Sequence, residues 1–134
     1  MLGSLLASLV AMPAMAVAGP TRLQDPAVSP TAGSPSTVFQ FSVTYRNREG
    51  SPPDHVEVVV GGAVHAMSAA GSTWKAGVRF TWSGTLPVGA HSVLFRAMDR
   101  ERFSDKVAGP TVTVTVPATP TPAPTPTPAP TPTP

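Results

Sequence analysis

The sequence predicts an all-β chain that folds as an antiparallel β-sandwich of about seven strands. Apolar and polar residues alternate in several short runs, most clearly over 37–45 and 78–97, as expected for strands with one buried face. Turn signals rich in Gly and Pro separate these runs, and no helical period appears between residues 37 and 116. The runs 78–82 and 91–97, joined by a tight connection, are predicted to form the centre of the domain.

Composition limits the size of the fold and the classes of site it can carry. The 134 residues leave room for one domain of about 100 once both ends are set aside. Cysteine is absent, which excludes disulfides, thiolate chemistry and Cys-based zinc sites. Lys and Arg number 9 against 7 Asp and Glu. The nearest basic cluster, Arg96, Arg100 and Arg102, is interrupted by Asp99 and Glu101, so nucleic acid is not an expected partner.

The first 18 residues are nearly all Leu, Ala, Val and Met, which is typical of an export signal and short for a membrane span. Ala16, Val17 and Ala18 fit the small-x-small cleavage rule, so residues 1–18 are predicted to be a signal peptide removed after Ala18. The protein is therefore expected to be secreted or held in the cell envelope. No Lys or Arg precedes Arg22, which leaves an uncleaved membrane anchor as the alternative.

Residues 19–36 are rich in Pro, Gly, Ser and Thr, which predicts a flexible lead-in with at most one short edge strand. The ordered domain is expected over 37–116. Its first strand is the clearest, because four large apolar side chains fall on one face: Phe39, Phe41, Val43 and Tyr45.

The polar loop RNREGSPPD comes next, because its Gly and Pro residues suit no regular element. A strand with Val56, Val58 and Val60 on one face then reaches Gly61 and Gly62, a hairpin signal before a short partner strand. The run 68–77 is predicted to be a loop.

In the central pair, Phe80 and Trp82 are predicted to face inward, and Leu86 to fill one end of the sandwich. Residues 97–109 are predicted to be a charged loop, and a last strand follows with alternating Val residues at 112, 114 and 116. This number of strands, at this spacing of turn signals, favours an immunoglobulin-like sandwich.

Residues 117–134 alternate Pro with Thr and Ala. Pro at nearly every second position excludes helix and sheet, so a disordered polyproline tail of roughly 55 Å is predicted, as a linker or stalk.

The ordered part resembles the immunoglobulin-like repeats, fibronectin type III-like in look, of secreted and cell-surface bacterial proteins. The resemblance rests on the alternating apolar residues already named and on an ordered series of turn and aromatic positions: Gly50, Pro53, Gly62, Met67, Gly71, Trp74, Gly77, Gly89, Asp99 and Gly109. It implies a spacer, adhesion unit or accessory domain without catalytic activity, joined by a Thr/Pro-rich linker. Many such repeats carry an Asp-rich calcium loop, but here the two corresponding positions are Asn47 and Glu49, with Arg46 and Arg48 beside them, which disfavours a divalent cation.

Candidate sites are few. Trp74 and Lys75 in the 68–77 loop are the candidate ligand-binding residues, although a structural role for Trp74 as a lid over the sandwich edge is favoured. No catalytic residue, metal site or cofactor is predicted, because His55, His65 and His91 lie on different strands and no nucleophile elbow occurs. His91 is expected to bond a loop carbonyl, and Asp99 to cap a turn through backbone N–H groups.

These observations predict a non-enzymatic exported module that acts as a spacer or adhesion domain at the bacterial cell surface. Its partner would be an unidentified protein or polysaccharide there, with the membrane involved only if the first segment is uncleaved. The alternatives are a carbohydrate-binding accessory module of a secreted hydrolase and a fragment of a larger secreted enzyme.

Overall fold

A computed structural model of the chain describes residues 19–134. The described part is all-β, as predicted, with ten strands and no helix; accordingly, it contains no helix long and apolar enough to cross a membrane. The strands are β1 (Thr21–Ser29), β2 (Ala32–Gly33), β3 (Phe39–Asn47), β4 (Pro53–Val60), β5 (Ala63–Ala66), β6 (Val78–Gly84), β7 (Gly89–His91), β8 (Val93–Asp99), β9 (Ser104–Ala108) and β10 (Val112–Val114). The predicted signal peptide at 1–18 lies outside the described residues.

The strands form three sheets. One has the order β1-β3-β6 and another the order β5-β4-β8-β9, both with antiparallel neighbours. The third is smaller, with the order β2-β10-β7, and its β2–β10 pair is parallel. The sheets share one hydrophobic core, to which β1, β3, β4, β6, β8 and β10 contribute buried side chains.

The strands with strict alternation were predicted correctly. All four apolar residues of β3 have no exposed surface, and the three alternating Val residues of β4 are buried. Each such side chain stabilises the fold by about 1.5–3 kcal/mol. Gly61 and Gly62 connect β4 to β5 with φ of 55° and 88°, the left-handed conformation that a tight hairpin turn requires. The last strand, β10, ends at Val114, so Val112 and Val114 are buried but Val116, predicted on the same face, lies beyond the strand and is 69% exposed.

The predicted flexible lead-in at 19–36 instead contains β1, which pairs with β3 from Thr21 to Ser29. The alternation of β1 is hidden by a bulge between Gln24 and Ala27, where Asp25 has a φ of 50°. A bulge shifts the alternation by one residue, so odd-numbered positions face the core before it and even-numbered positions face the core after it. Leu23 and Val28 are therefore both buried, although they are five positions apart. No uniform period of two could reveal such a strand.

The two runs predicted to form the centre of the domain belong to different sheets. β6 pairs with β3, whereas β8 pairs with β4 and β9. The connection between them therefore passes from one sheet to another, and Leu86 within it is buried against the core. Alternation identified both strands, but it carries no information on which strand lies beside which.

The charged loop predicted over 97–109 is mostly strand. β8 continues to Asp99, and β9 returns beside it from Ser104 to Ala108. The sequence of β9 lacks clear apolar alternation because β9 is an edge strand, where charged side chains are common. Only 100–103 form the turn between them.

The described strands begin at one end of the fold and finish at the other. Thr21, at the start of β1, lies opposite Asn47 and bonds Asp99, the last residue of β8. β9 runs away from that end, and β10 continues in the same direction until Val114 pairs with Gly89. Residues 117–134 follow from this second end, exposed and without regular structure.

Candidate functional site

A buried polar network links the 47–51 turn, which follows β3, to the 99–103 turn, which follows β8. Asp99 Oδ2 accepts hydrogen bonds from Thr21 Oγ1 at 2.7 Å and from Asn47 Nδ2 at 3.1 Å. Asn47 Nδ2 also lies 3.0 Å from Thr21 Oγ1, and all three residues are buried. Because an unpaired polar group at this depth would cost roughly 1–3 kcal/mol, the network fixes where the three strands meet.

Each of the two turns is also closed by its own first residue. Asp99 Oδ1 accepts hydrogen bonds at 2.9 Å from the backbone N–H groups of Glu101 and Phe103, which confirms the predicted capping role of Asp99. Asn47 Oδ1 accepts from the N–H groups two and four residues later, at 2.9 and 3.1 Å. Asn47 Oδ1, one of the oxygens that a calcium ion in this loop would use, is thus already an acceptor within its own turn.

The same end of the fold carries a group of arginines. Arg22 on β1 lies directly opposite Arg46 on β3, and both side chains are exposed. Arg48 follows in the 47–51 turn, and its backbone N–H donates to the carbonyl of Pro20 at 3.0 Å. One small concavity at this end is lined by Arg22, Arg46, Arg48, Pro20 and Gly19. We call this region the arginine end.

A fourth arginine continues the basic surface along the outward side of the β1-β3-β6 sheet. Arg79 on β6 lies opposite Thr44, diagonal to Arg46, and its Nη2 donates to Ser42 Oγ at 2.6 Å. Among residues 19–134 Arg96 forms an ion pair with Glu57, and His55 lies 3.1 Å from Asp54; neither contact involves an arginine of this surface.

This group is not apparent in the sequence because its members come from separate strands. The basic cluster that the sequence does show is Arg96, Arg100 and Arg102, of which Arg96 is neutralised by Glu57 at 2.7 Å. One signal was available: the alternation of β3 places Arg46 on the outward face of the sheet. Its neighbour Arg22 is known only once the bulged strand β1 has been paired with β3.

Trp74 and Lys75, the predicted ligand-binding residues, lie beside the arginine end. The Trp74 carbonyl accepts from the Asn47 N–H at 2.8 Å, and the Lys75 carbonyl accepts from Arg46 Nε at 2.9 Å. The Trp74 ring is half-buried and meets the Tyr45 ring edge-on at 5.9 Å. Trp74 therefore covers the core, as a lid would, and Lys75 is exposed.

Trp82 was predicted to be a core residue, but it is only half-buried. Its ring packs against Phe41 at 5.2 Å on the core side and stacks on His65 at 3.8 Å on the other. His65 belongs to β5, in the sheet of β4 and β8, so the stack joins the edges of two sheets. A ring shared between two sheet edges cannot be enclosed as Phe80 is.

Two further titratable side chains, those of His91 and Asp105, have structural contacts. His91 Nε2 lies 2.6 Å from the Pro87 carbonyl oxygen, which confirms the predicted bond to a loop carbonyl, and Asp105 accepts the Leu23 N–H at 2.8 Å. Over residues 19–134 no three His, Asp or Glu side chains come together in a way that could hold a metal ion.

No protein-family model matches the sequence, and no curated protein is similar to it at a significant level.

Proposed function

We propose that this chain is an exported, non-enzymatic, immunoglobulin-like module that serves as a spacer or interaction domain at the bacterial cell envelope. The observation that carries the proposal is the placement of the two ends. The arginine end lies where the first strand begins, and the Pro- and Thr-rich segment 117–134 leaves from the opposite end. A module arranged in this way keeps a partner bound at the arginine end apart from the surface to which the 117–134 segment is attached.

The sheet topology supports an immunoglobulin-like sandwich. The β1-β3-β6 and β5-β4-β8-β9 sheets bury alternate residues in a common core, the arrangement of two sheets packed face to face. In this proposal the small β2-β10-β7 sheet closes the end from which the tail leaves, and it has the buried residues Val112 and Val114 to do so.

The tail supports a spacer role. An 18-residue segment that alternates Pro with small residues adopts extended polyproline II structure of about 3.1 Å per residue. All its residues are exposed, so it carries no surface that must pack against the module. It would hold the module roughly 55 Å from its attachment point.

The roles of the polar side chains support a non-enzymatic function. Asp99, Asn47 and Asp105 hold turns and strand ends, Glu57 pairs with Arg96, and His91 bonds a carbonyl. General acid–base or nucleophilic catalysis requires side chains that converge on an accessible point. Here these carboxylates and the His91 imidazole are engaged in structural contacts.

A carbohydrate-binding accessory module is the second candidate, and one observation favours it. A shallow groove beside the arginine end is lined by both predicted ligand residues, Trp74 and Lys75, together with Glu49 and Thr73. The Trp74 side chain is only partly buried, so a sugar could lie against its exposed part.

The proposal is tested by the mass and location of the protein in the cells that produce it. We expect a species that begins at Gly19, in the culture supernatant or the envelope fraction, measured by intact-mass spectrometry. A cytoplasmic species that retains Met1 would contradict export. An envelope-bound species that retains Met1 would support the anchored alternative over the cleaved signal.

A further inference from the structure

The outward faces of the two larger sheets each carry a cross-strand pair of basic residues. On the β5-β4-β8-β9 sheet Arg96 lies opposite Lys106, and Glu57 lies on the other side of Arg96, bonded to it at 2.7 Å. On the β1-β3-β6 sheet Arg22 lies opposite Arg46. Neighbouring strands are only about 4.8 Å apart, so like charges in this position repel and destabilise a sheet. One pair is offset by a carboxylate within its own sheet, and the other is not.

Further positive charge gathers around the uncompensated pair. Arg48 lines the same concavity, and the Arg46 guanidinium is held in place through its Nε by the Lys75 carbonyl. That bond uses one of three guanidinium nitrogens, so the other two can still donate to a ligand. Removal of the signal peptide after Ala18 would add the α-amino group of Gly19, which lines the concavity too.

The negative charges nearest in sequence do not cancel this surface. Asp25 lies at the β1 bulge, three residues beyond Arg22, and Glu49 follows Arg48 in the turn. Neither forms an ion pair with an arginine of the surface within the part of the chain that the structure describes. Residues 1–18 contain no Asp or Glu that could supply one.

The rest of the outward face of the β1-β3-β6 sheet is lined by small hydroxyl and amide side chains. In register order across the sheet these are Gln24, Thr44, Thr81, Ser29, Gln40 and Ser83. Such groups both donate and accept hydrogen bonds. Ser42 lies in the same rows but is buried and accepts from Arg79, and Ala27 opposite it is small and apolar. These outward positions carry no aromatic side chain on which a nucleic-acid base could stack and no large apolar side chain to insert into a membrane.

We propose that the arginine end and this polar face bind an acidic polysaccharide, with arginines holding its carboxylates and the hydroxyl and amide rows meeting its sugar hydroxyls. This inference rests on the proposed function of the chain as an exported interaction module. The planar fork of a guanidinium matches a carboxylate with two parallel hydrogen bonds. The polymer extends along the sheet from the Arg22–Arg46 pair towards Arg79.

The test is titration of the purified protein with polygalacturonate at about 50 mM salt, where exposed charges are only partly screened. We expect binding that is lost at about 1 M salt, and none to the fully methyl-esterified polymer, which has the same sugar chain without the charge. The R22Q/R46Q variant should bind at least tenfold more weakly. The matched control R96Q/K106Q removes the same charge from the other cross-strand pair and should change the affinity less than twofold.

A second variant guards against misfolding, because Arg46 also bonds the Lys75 carbonyl. R22Q/R48Q leaves that bond in place, should keep the melting temperature of the parent, and should weaken binding about fivefold. Equal losses in R22Q/R46Q and R96Q/K106Q, or equal binding to the esterified polymer, would overturn the inference.

Tighter binding to duplex DNA or to phosphatidylglycerol vesicles than to polygalacturonate, at the same salt, would also overturn the assignment to a polysaccharide. Export is measured separately, by mass and location. An exported protein that does not bind polygalacturonate therefore contradicts this inference and leaves the proposed function standing.

Discussion

The 47–51 turn and the 99–103 turn have the same local structure but direct the chain differently. In both, the first side chain accepts from the N–H groups two and four residues later. In both, the N–H three residues later donates to the first carbonyl, at 3.0 Å for Gly50 and 3.1 Å for Arg102. These two residues also share a left-handed backbone, with φ of 82° and 76°.

The difference lies in which carbonyl receives the first backbone N–H of each turn. The Asp99 N–H donates to the Phe103 carbonyl at 2.9 Å, which closes a hairpin between β8 and β9. The Asn47 N–H donates instead to the Trp74 carbonyl at 2.8 Å, and the Ser51 carbonyl accepts from Tyr45 Oη at 3.0 Å. After Ser51 the chain therefore does not return beside β3, and it continues as β4 in another sheet. A turn's local geometry does not decide its topology; its tertiary contacts do.

The two turns also begin with different side chains, and these two side chains complement each other. Asn47 presents an amide nitrogen where Asp99 presents a carboxylate oxygen, and the two atoms lie 3.1 Å apart. Two aspartates would bring like charges together in a buried site, and two asparagines would lose the charged acceptor. The pair therefore requires one residue of each kind.

The largest expected effect comes from breaking this complementarity. N47D should lower the free energy of unfolding by about 3 kcal/mol, because two buried carboxylates then face each other. D99N should cost about 2 kcal/mol, because a charged acceptor of two side-chain donors is lost. The double variant N47D/D99N restores one amide and one carboxylate, so it should be at least 1 kcal/mol more stable than the sum of the single effects predicts.

Urea unfolding at neutral pH measures all three variants. D54N, which removes an exposed carboxylate next to His55, is the control and should change stability by less than about 0.5 kcal/mol. Simple additivity of N47D and D99N would show that the two turns are held independently of each other.

A smaller effect is expected from giving the 47–51 turn a side chain at its left-handed position. G50A should cost about 1 kcal/mol, because a Cβ disfavours a φ of 82°. The new Cβ would lie 3.2 Å from Lys75 Cε, the end of a flexible side chain that can move. G62A is the matched control, since Gly62 has a φ of 88° and open space around it. A cost for G50A well above that of G62A in urea unfolding would mean that packing on Lys75 matters more than backbone strain.

The same comparison explains what sequence alone could and could not reveal. Strands such as β3 were predictable because one whole face is buried, which imposes a period of two on Phe39, Phe41, Val43 and Tyr45. The role of Asp99 was predictable because Asp commonly bonds the backbone a few residues ahead.

Features that depend on pairing were not predictable. β1 was missed because its bulge changes the parity of Leu23 and Val28. The arginine end was missed for a related reason, since Arg22 and Arg46 become neighbours only through the β1–β3 register. The apolar pattern of one strand identifies its buried face, but it contains nothing about the strand that will lie beside it.

The smallest expected effect comes from removing the side chain at the left-handed position of the 99–103 turn. R102G should raise the free energy of unfolding by about 0.5 kcal/mol, because relief of strain at a φ of 76° exceeds the added entropy of Gly in the unfolded chain. R100G is the control: Arg100 is exposed in the same turn and is not among the described residues with positive φ, so it should lose about 0.5 kcal/mol by the same entropy. Opposite signs for the two variants in urea unfolding would show that Arg102 is retained against a local preference for Gly. A loss of stability in R102G equal to that in R100G would mean that Arg102 stabilises its turn by contacts that Gly50 does not need.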